Sequence, residues 1–275
     1  MTDTLFDITD RVAIVTGGLG QIGVEFSLEL LRRGARVAVF SRNIKKEIVE
    51  SRFPQEYRDT DRVRFFTVDI TIKETLEKAL DAIIAVWDVP EILINNAGID
   101  TQPSAPPEVS GPFEHFPEEV FREVVNVNLV GTFLCSQVVG AKMAEAGRGS
   151  IINIGSIYGM LSPVQDIYAY KQEKTGVPFI KPVAYSASKS GVYNLTHYMA
   201  TYWAKKGVRV NVLTPSGVFR DTQDAEFQKN YCARIPIGRM AQPDEYNGAM
   251  IFLASDASKY MTGSNLVIDG GWTAW

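Results

Sequence analysis

Val12-Ala13-Ile14-Val15-Thr16-Gly17-Gly18-Leu19-Gly20-Gln21-Ile22-Gly23 is the stretch whose reading decides the fold. Its first four residues are apolar and small or β-branched, as in a strand buried on both faces. The glycines that follow make a tight turn. Beyond the turn, Ile22, Phe26 and Leu30 return at helical spacing and Gly34 supplies a stop. A lone glycine motif fits many tight turns, but a strand before it and a helix after it make a phosphate-binding turn. Small residues let a pyrophosphate approach the backbone, and the unpaired N–H groups and dipole of the helix start favour its negative charge. Gly17, Gly20, Gln21 and Ile22 are the candidate contacts.

Outward from that turn, strand-like runs at 37–40, 63–67, 92–94, 151–154, 208–213 and 266–268 alternate with helical patterns at 73–85, 117–146, 184–204 and 243–254. This alternation predicts an α/β fold of Rossmann type, a doubly wound parallel sheet with helices on both faces. With 275 residues, 45% of them hydrophobic, the chain can bury one large core, and no low-complexity stretch or charge run marks a boundary. A single domain over 1–275 is expected. The first eleven residues carry no apolar segment, and no run reaching membrane-spanning length is read from the sequence, so a cytoplasmic protein without a membrane partner is expected. Two cysteines and two histidines point to no disulfide framework and no metal site. The net charge of −4, without a basic block, argues against nucleic acid and for a small-molecule partner.

A second constellation carries chemistry. Tyr185-Ser186-Ala187-Ser188-Lys189 sets a phenol and an ammonium one helical turn apart, on one helix face. A tyrosine has a pKa of about 10, and a neighbouring cation favours its phenolate and brings that value down. Taken alone, the pair also fits a half-buried Tyr beside a solvated Lys. Ser156 and the glycine turn upstream favour the catalytic reading.

These residues resemble the short-chain dehydrogenase/reductase family over nearly the whole chain. The motifs arrive in the family's order: TGGLGQIG at 16–23, Asp69 after the third strand, NNAG at 95–98, Asn128 in VNVNLVGTF, Ser156 in INIGSIYG, YSASK at 185–189, Pro215 in a turn, and DGG at 269–271. The resemblance implies an NAD(P)(H)-dependent oxidoreductase moving hydride between nicotinamide and an alcohol or ketone carbon. It implies that Ser156 hydrogen-bonds the substrate oxygen, Tyr185 transfers the proton, Lys189 holds the nicotinamide ribose and lowers the Tyr185 pKa, and Asn128 positions a relay water. Asp69 and Ile70 are expected at the adenine, with Asn95, Asn96, Ala97 and Gly98 beneath the adenosine and Pro215, Gly217 and Val218 near the nicotinamide. Asn95 reads as readily as part of a structural turn.

Ser41 stands where family members that prefer NAD carry an acid, and Arg42 follows it. An Arg can meet a 2′-phosphate through a charge-assisted fork, so NADP is favoured, with NAD the alternative if Arg42 is only a solvated loop residue.

Three departures from the family pattern are informative. Gln21 takes the sixth position of the glycine motif, giving a spacing similar to that of the extended branch and making a nucleotide-sugar epimerase or dehydratase with retained NAD the runner-up; a non-catalytic dinucleotide-binding protein is third. Ser156 and Tyr185 are separated by an insertion at about 163–182, read as a loop forming a lid or pocket wall in which Lys171, Lys174 or Lys181 meets a substrate phosphate or carboxylate; surface decoration is the alternative. The usual Pro-Gly after the sixth strand is Pro215-Ser216-Gly217, which suggests a loop reshaped by serine's dislike of positive φ, with Arg220 beyond it and substrate-facing residues through 221–231. The ensemble resembles branches near flagellin-modification and legionaminic-acid pathway dehydrogenases and gluconate 5-dehydrogenases, implying a polar sugar, amino-sugar or sugar-acid substrate. Family members pair through the helices at 117–146 and 184–204, so a homotetramer or dimer is expected, with Trp272-Thr273-Ala274-Trp275 packed on a neighbouring subunit.

Overall fold

Strand periodicity builds both faces of one sheet. The structure, a computed structural model, describes residues 4–101 and 105–275. Its strands are β1 (Val12–Thr16), β2 (Arg36–Ser41), β3 (Val63–Thr67), β4 (Ile92–Asn95), β5 (Gly149–Ile154), β6 (Val208–Pro215) and β7 (Asn265–Ile268). All pair in parallel, in the order β3-β2-β1-β4-β5-β6-β7. Val15 stands beside Val39 on one side and Ile94 on the other. The chain winds outward from β1 to β3 and then crosses back to β4. Its switch point therefore lies between β1 and β4, where open α/β sheets bind ligands beyond the strands' carboxyl ends.

The principal helices are α1 (Gln21–Arg32), α2 (Lys46–Arg52), α3 (Lys73–Val86), α4 (Glu118–Ala146), α5 (Val183–Trp203) and α6 (Asn247–Ala254). Ala13, Val15, Val37 and Val39 pack with Phe26 and Leu30 of α1 and Met250 and Ile251 of α6. Their neighbours Val12, Ile14, Ala38 and Phe40 point to the other face, against Leu80 and Ile83 of α3, Val139 of α4 and Trp203 of α5. This alternation follows from the two-residue period of a strand, with both faces covered.

Helix α4 begins after Pro117, contains a π turn at Asn126–Val130, and stops at Gly147 with φ 73. It corrects one expectation, because by length and composition it is apolar enough to cross a membrane. Half of its apolar window is buried inside the fold, as in a core helix of a layered sheet protein. A Cβ on its Gly140 would come within 2.5 Å of the Trp203 ring, so glycine there is what lets α4 and α5 lie close.

Half of the segment expected to be a loop at 163–182 is instead helical, with turns at Gln165–Tyr168 and Tyr170–Thr175. It closes a third apolar cluster in which Tyr168 stacks on Phe227 at 5.8 Å and Tyr231 lies 4.6 Å from Trp272. Trp272 thus packs on its own chain at 5% exposure, against the expected contact with a neighbour, while Trp275 is exposed. Ser216 does not adopt positive φ: among the described residues Asp10 is the one non-glycine that does.

Candidate active site

A cavity of about 1040 Å³ runs along the carboxyl ends of β1, β2, β4, β5 and β6. Its middle is the glycine turn. Gly17 has φ +60, and a Cβ there would sit 2.8 Å from Ala97 Cα, so glycine alone allows the turns after β1 and β4 to meet. Thr16 Oγ1 accepts the Asn96 and Ala97 N–H groups at 3.0 Å each, and Asn96 Nδ2 donates to the carbonyls of Thr16 and Gly17. Gln21 and Ile22, the first residues of α1, line the cavity with backbone N–H groups that have no partner within the helix. Asn95 faces the core, donating to Asn153 Oδ1 and Ser136 Oγ, so its role is structural.

At one end lie Ser41, Arg42, Asp69 and Ile70. Burial pushes the Asp69 carboxyl up, but hydrogen bonds from the Thr71 hydroxyl and N–H, with the Arg42 charge, outweigh it and hold it below the usual carboxylate value. Arg52 of α2 also lines this end and donates to the Leu19 carbonyl. No motif in the sequence marks it.

Gln21 does more than replace a glycine. Its Nε2 donates to the Phe219 carbonyl at 2.7 Å, and its Oε1 accepts from Arg220 Nε at 2.6 Å. The glycine turn and the loop after β6 are thereby joined across the cleft, beside Pro215, Gly217 and Val218 in the cavity wall. Arg220, which stands where many family members have a Thr that touches the cofactor, belongs to this bridge.

The other end gathers Ser156, Tyr185 and Lys189. Ser156 caps a short helix, its hydroxyl accepting from Tyr158 N at 3.2 Å. Tyr193, on the same face of α5 eight residues after Tyr185, bonds the Ser156 carbonyl at 2.9 Å and Thr214 at 2.8 Å, a supporting role that helical spacing alone foreshadows. Lys189 Nζ donates to the Ile154 carbonyl at 2.7 Å, and burial brings its pKa down to about 8. The expected lowering of the Tyr185 pKa by Lys189 is not what the chain alone provides. Burial, followed by the Asp100 charge, raises it, while Lys189 Nζ lies 5.9 Å from the ring centroid.

Asn128 sits within the π turn of α4, fully buried. Its Oδ1 accepts from Ile99 N–H, and its Nδ2 donates to the Ile99 carbonyl and Ser188 Oγ. The side chain thereby ties the 98–99 turn to α5.

The three lysines of the insertion differ in their partners. Lys181 is buried against Asp100 at 2.6 Å, and Lys174 pairs with Asp224 at 2.7 Å. Lys171 lines the cavity, its ammonium 5.7 Å from the Tyr170 ring.

Residues 19–273 match the family model described as enoyl-(acyl carrier protein) reductase. The chain is 32% identical over 278 residues to an NAD-dependent glycerol dehydrogenase of Listeria innocua, covering 98% of this chain and 97% of that one. A short-chain dehydrogenase of Leptospira borgpetersenii, solved with bound NAD+, superposes with TM-score 0.84 at 34% identity, covering 99% of this chain and 96% of that chain. A gluconate 5-dehydrogenase of Burkholderia cenocepacia, solved with NADP and tartrate, gives 0.83 at 30% identity, covering 99% and 98%. With the parallel sheet and its cleft, these likenesses place the chain in the short-chain dehydrogenase/reductase family, as an oxidoreductase acting on an alcohol or ketone carbon.

Proposed function

We propose that the chain interconverts an alcohol and a ketone of a small polyhydroxylated substrate, a sugar, amino sugar or sugar acid, using NADP(H) in preference to NAD(H). The observation that carries this reading is the layout of the cleft, with the glycine cradle at its middle, Arg42 at one end and Tyr185 at the other. The cradle fits a dinucleotide, because Gly17 and Gly20 line the cavity without side chains beside Gln21 and Ile22 at the start of α1, where a pyrophosphate can meet free N–H groups. Ser41 and Arg42 then face its adenosine ribose, Asp69 and Ile70 its adenine, Asn96, Ala97 and Gly98 its underside, and Pro215, Gly217 and Val218 its nicotinamide side.

When bound, the nicotinamide supplies or takes up the hydride. The Ser156 hydroxyl donates a hydrogen bond to the substrate oxygen. Tyr185 gives that oxygen its proton in the reducing direction and removes it in the oxidising one. The Lys189 ammonium holds the ribose hydroxyls and adds positive charge beside the phenol, opposing the effect of burial. Asn128 braces the turn and helix that carry these groups. Support for a polar substrate comes from the wall facing Tyr185, which includes Asp100, Lys171, Gln223 and Asp224, and from the glycerol and gluconate enzymes among the relatives.

The chain acts as a cytoplasmic homo-oligomer in this reading, dimeric or tetrameric, pairing through α4 and α5. Phe133, Tyr198 and Tyr202 are exposed there, with the two tyrosines stacked at 5.9 Å.

Parallel titration of NADP(H) and NAD(H) tests the cofactor assignment. Loss of a charge-assisted contact worth about 1.5–3 kcal/mol should weaken NADP(H) binding by Arg42→Ala roughly 10- to 150-fold, with NAD(H) unchanged. Equal affinities for the two cofactors in the wild type would overturn the preference.

A further inference from the structure

The insertion delivers a second lysine to the catalytic tyrosine. Lys181 stands just before α5, and its side chain is only 4% exposed. Its Nζ donates to Asp100 Oδ2 at 2.6 Å and to the Thr101 carbonyl at 2.8 Å. It lies 5.5 Å from the centroid of the Tyr185 ring, no farther than Lys189 at 5.9 Å. Gln165 holds Lys181 from within the insertion, accepting its N–H at 2.9 Å and donating to its carbonyl at 3.1 Å. Asp100 comes from the turn after β4, and its second oxygen, Oδ1, is buried without a hydrogen-bond partner. Taking the Lys181 ammonium out of water is costly, and its attraction to a carboxylate that is still 26% exposed often does no more than offset it. A pair held here at that cost, against the ring of the acid–base residue, points to a role beyond stability.

We propose that Asp100 and Lys181 are a positioning pair that sets the proton affinity of Tyr185, Lys181 favouring the phenolate and Asp100 opposing it. The inference rests on the reading of Tyr185 as the proton-transfer residue. The other groups acting on Tyr185 are Lys189, the Ser156 hydroxyl and the phenols of Tyr158, Tyr193 and Tyr231. Buried phenols stay neutral near pH 7, so Asp100 is the anion among these groups. Asp224 lines the same cavity but is paired with Lys174. The Asp100 charge also acts on Lys189, opposing the fall that burial causes there. One carboxylate thus reaches both ionisable members of the proposed catalytic set. Lys181, tied to it, screens the phenol from the full effect.

The test is the pH dependence of kcat/KM for alcohol oxidation by the full-length enzyme saturated with NADP+. The probe is whichever of glycerol, threitol, galactitol and gluconate is turned over fastest. Lys181→Met should move the rising limb to higher pH by at least about half a unit, and Asp100→Asn should move it down by a similar amount. The double variant should return near the wild-type limb, and Lys181→Arg should restore it. A pair that only supports the fold would change rates and leave the limb in place, so coincident limbs across all these proteins overturn the proposal. Asp100→Asn leaves a buried ammonium unpaired and is the variant most exposed to unfolding; Lys181→Met leaves the Asp100 carboxylate unpaired, but that side chain is 26% exposed and can reach water, so Lys181→Met and the double variant carry the comparison alone if needed. Wild-type turnover by Tyr185→Phe would overturn the acid–base reading itself, whereas an inactive Tyr185→Phe with unmoved limbs would overturn only the pair.

Discussion

Replacing Gln21 by Ala should loosen the cofactor cleft without unfolding the protein. The Gln21 carboxamide makes two bonds across the cleft, one to the Phe219 carbonyl at 2.7 Å and one from Arg220 Nε at 2.6 Å. The first is a neutral, half-buried hydrogen bond contributing about 1 kcal/mol net. The second involves an exposed guanidinium and is screened by water, so it adds no more than about 0.5 kcal/mol. A loss of roughly 1–1.5 kcal/mol raises the open fraction of the loop about 5- to 13-fold. The loop keeps its other anchors, since Phe219 N–H still donates to the Ala241 carbonyl and Gln223 still caps Arg220 N–H. Hydrogen exchange over 217–223 should therefore quicken by that factor, and NADP(H) should dissociate correspondingly faster from the variant. Sheet amides such as those of β5 should be unaffected. Unchanged exchange in 217–223 would show that the bridge carries no closing energy and would refute the reasoning.

Two further outcomes follow from burial and exposure. Lys189 has a pKa of about 8 in the fold against 10.5 for a free lysine, so between these values the unfolded chain binds more protons and wild-type stability should climb with pH. Below pH 8 both states are protonated and the cost of the buried ammonium is fully present; Lys189→Met should be the more stable protein at pH 7, by up to ~3 kcal/mol, with the gap closing towards pH 10.5. Urea midpoints at the two pH values measure this, and a gap independent of pH would contradict it. For assembly, light scattering should give a dimer or tetramer that Tyr198→Asp weakens; a wild-type monomer at micromolar concentration would rule out pairing through α4 and α5.

The parts legible in the sequence are those specified by local pattern. β1, the glycine turn and α1 form one contiguous run whose chemistry is backbone chemistry, so Gly17 and Ile22 could be placed before any fold was known. The sheet was legible because strands buried on both faces are continuous apolar runs, as in 92–94. The helical turns of the insertion are not legible because they are short and rich in aromatic and lysine residues, with no apolar stripe; their order comes from Phe227, Tyr231 and Trp272, residues distant in sequence. Lys181 reads as a candidate for a substrate anion because its partner, Asp100, lies 81 residues away. Arg52 and the Gln21 bridge were hidden for the same reason, since each joins segments that only the sheet brings together.

The two ends of the cleft are built under different constraints. Around Gly17 the backbones after β1 and β4 approach so closely that a single Cβ would collide, which leaves little freedom for change. The Tyr185 end is walled by side chains from the insertion, from Ala225–Cys232 and from the C-terminal turn at Trp272, packed as a cluster of their own. Aromatic clusters tolerate substitution of similar volume far better than a backbone contact tolerates a Cβ. Change in substrate should therefore accumulate in the wall while the phosphate cradle stays fixed. If Asp100 and Lys181 act on Tyr185 as proposed, a charged pair anchored in that wall and set against the Tyr185 ring would let changes in the wall alter proton transfer without disturbing the cradle.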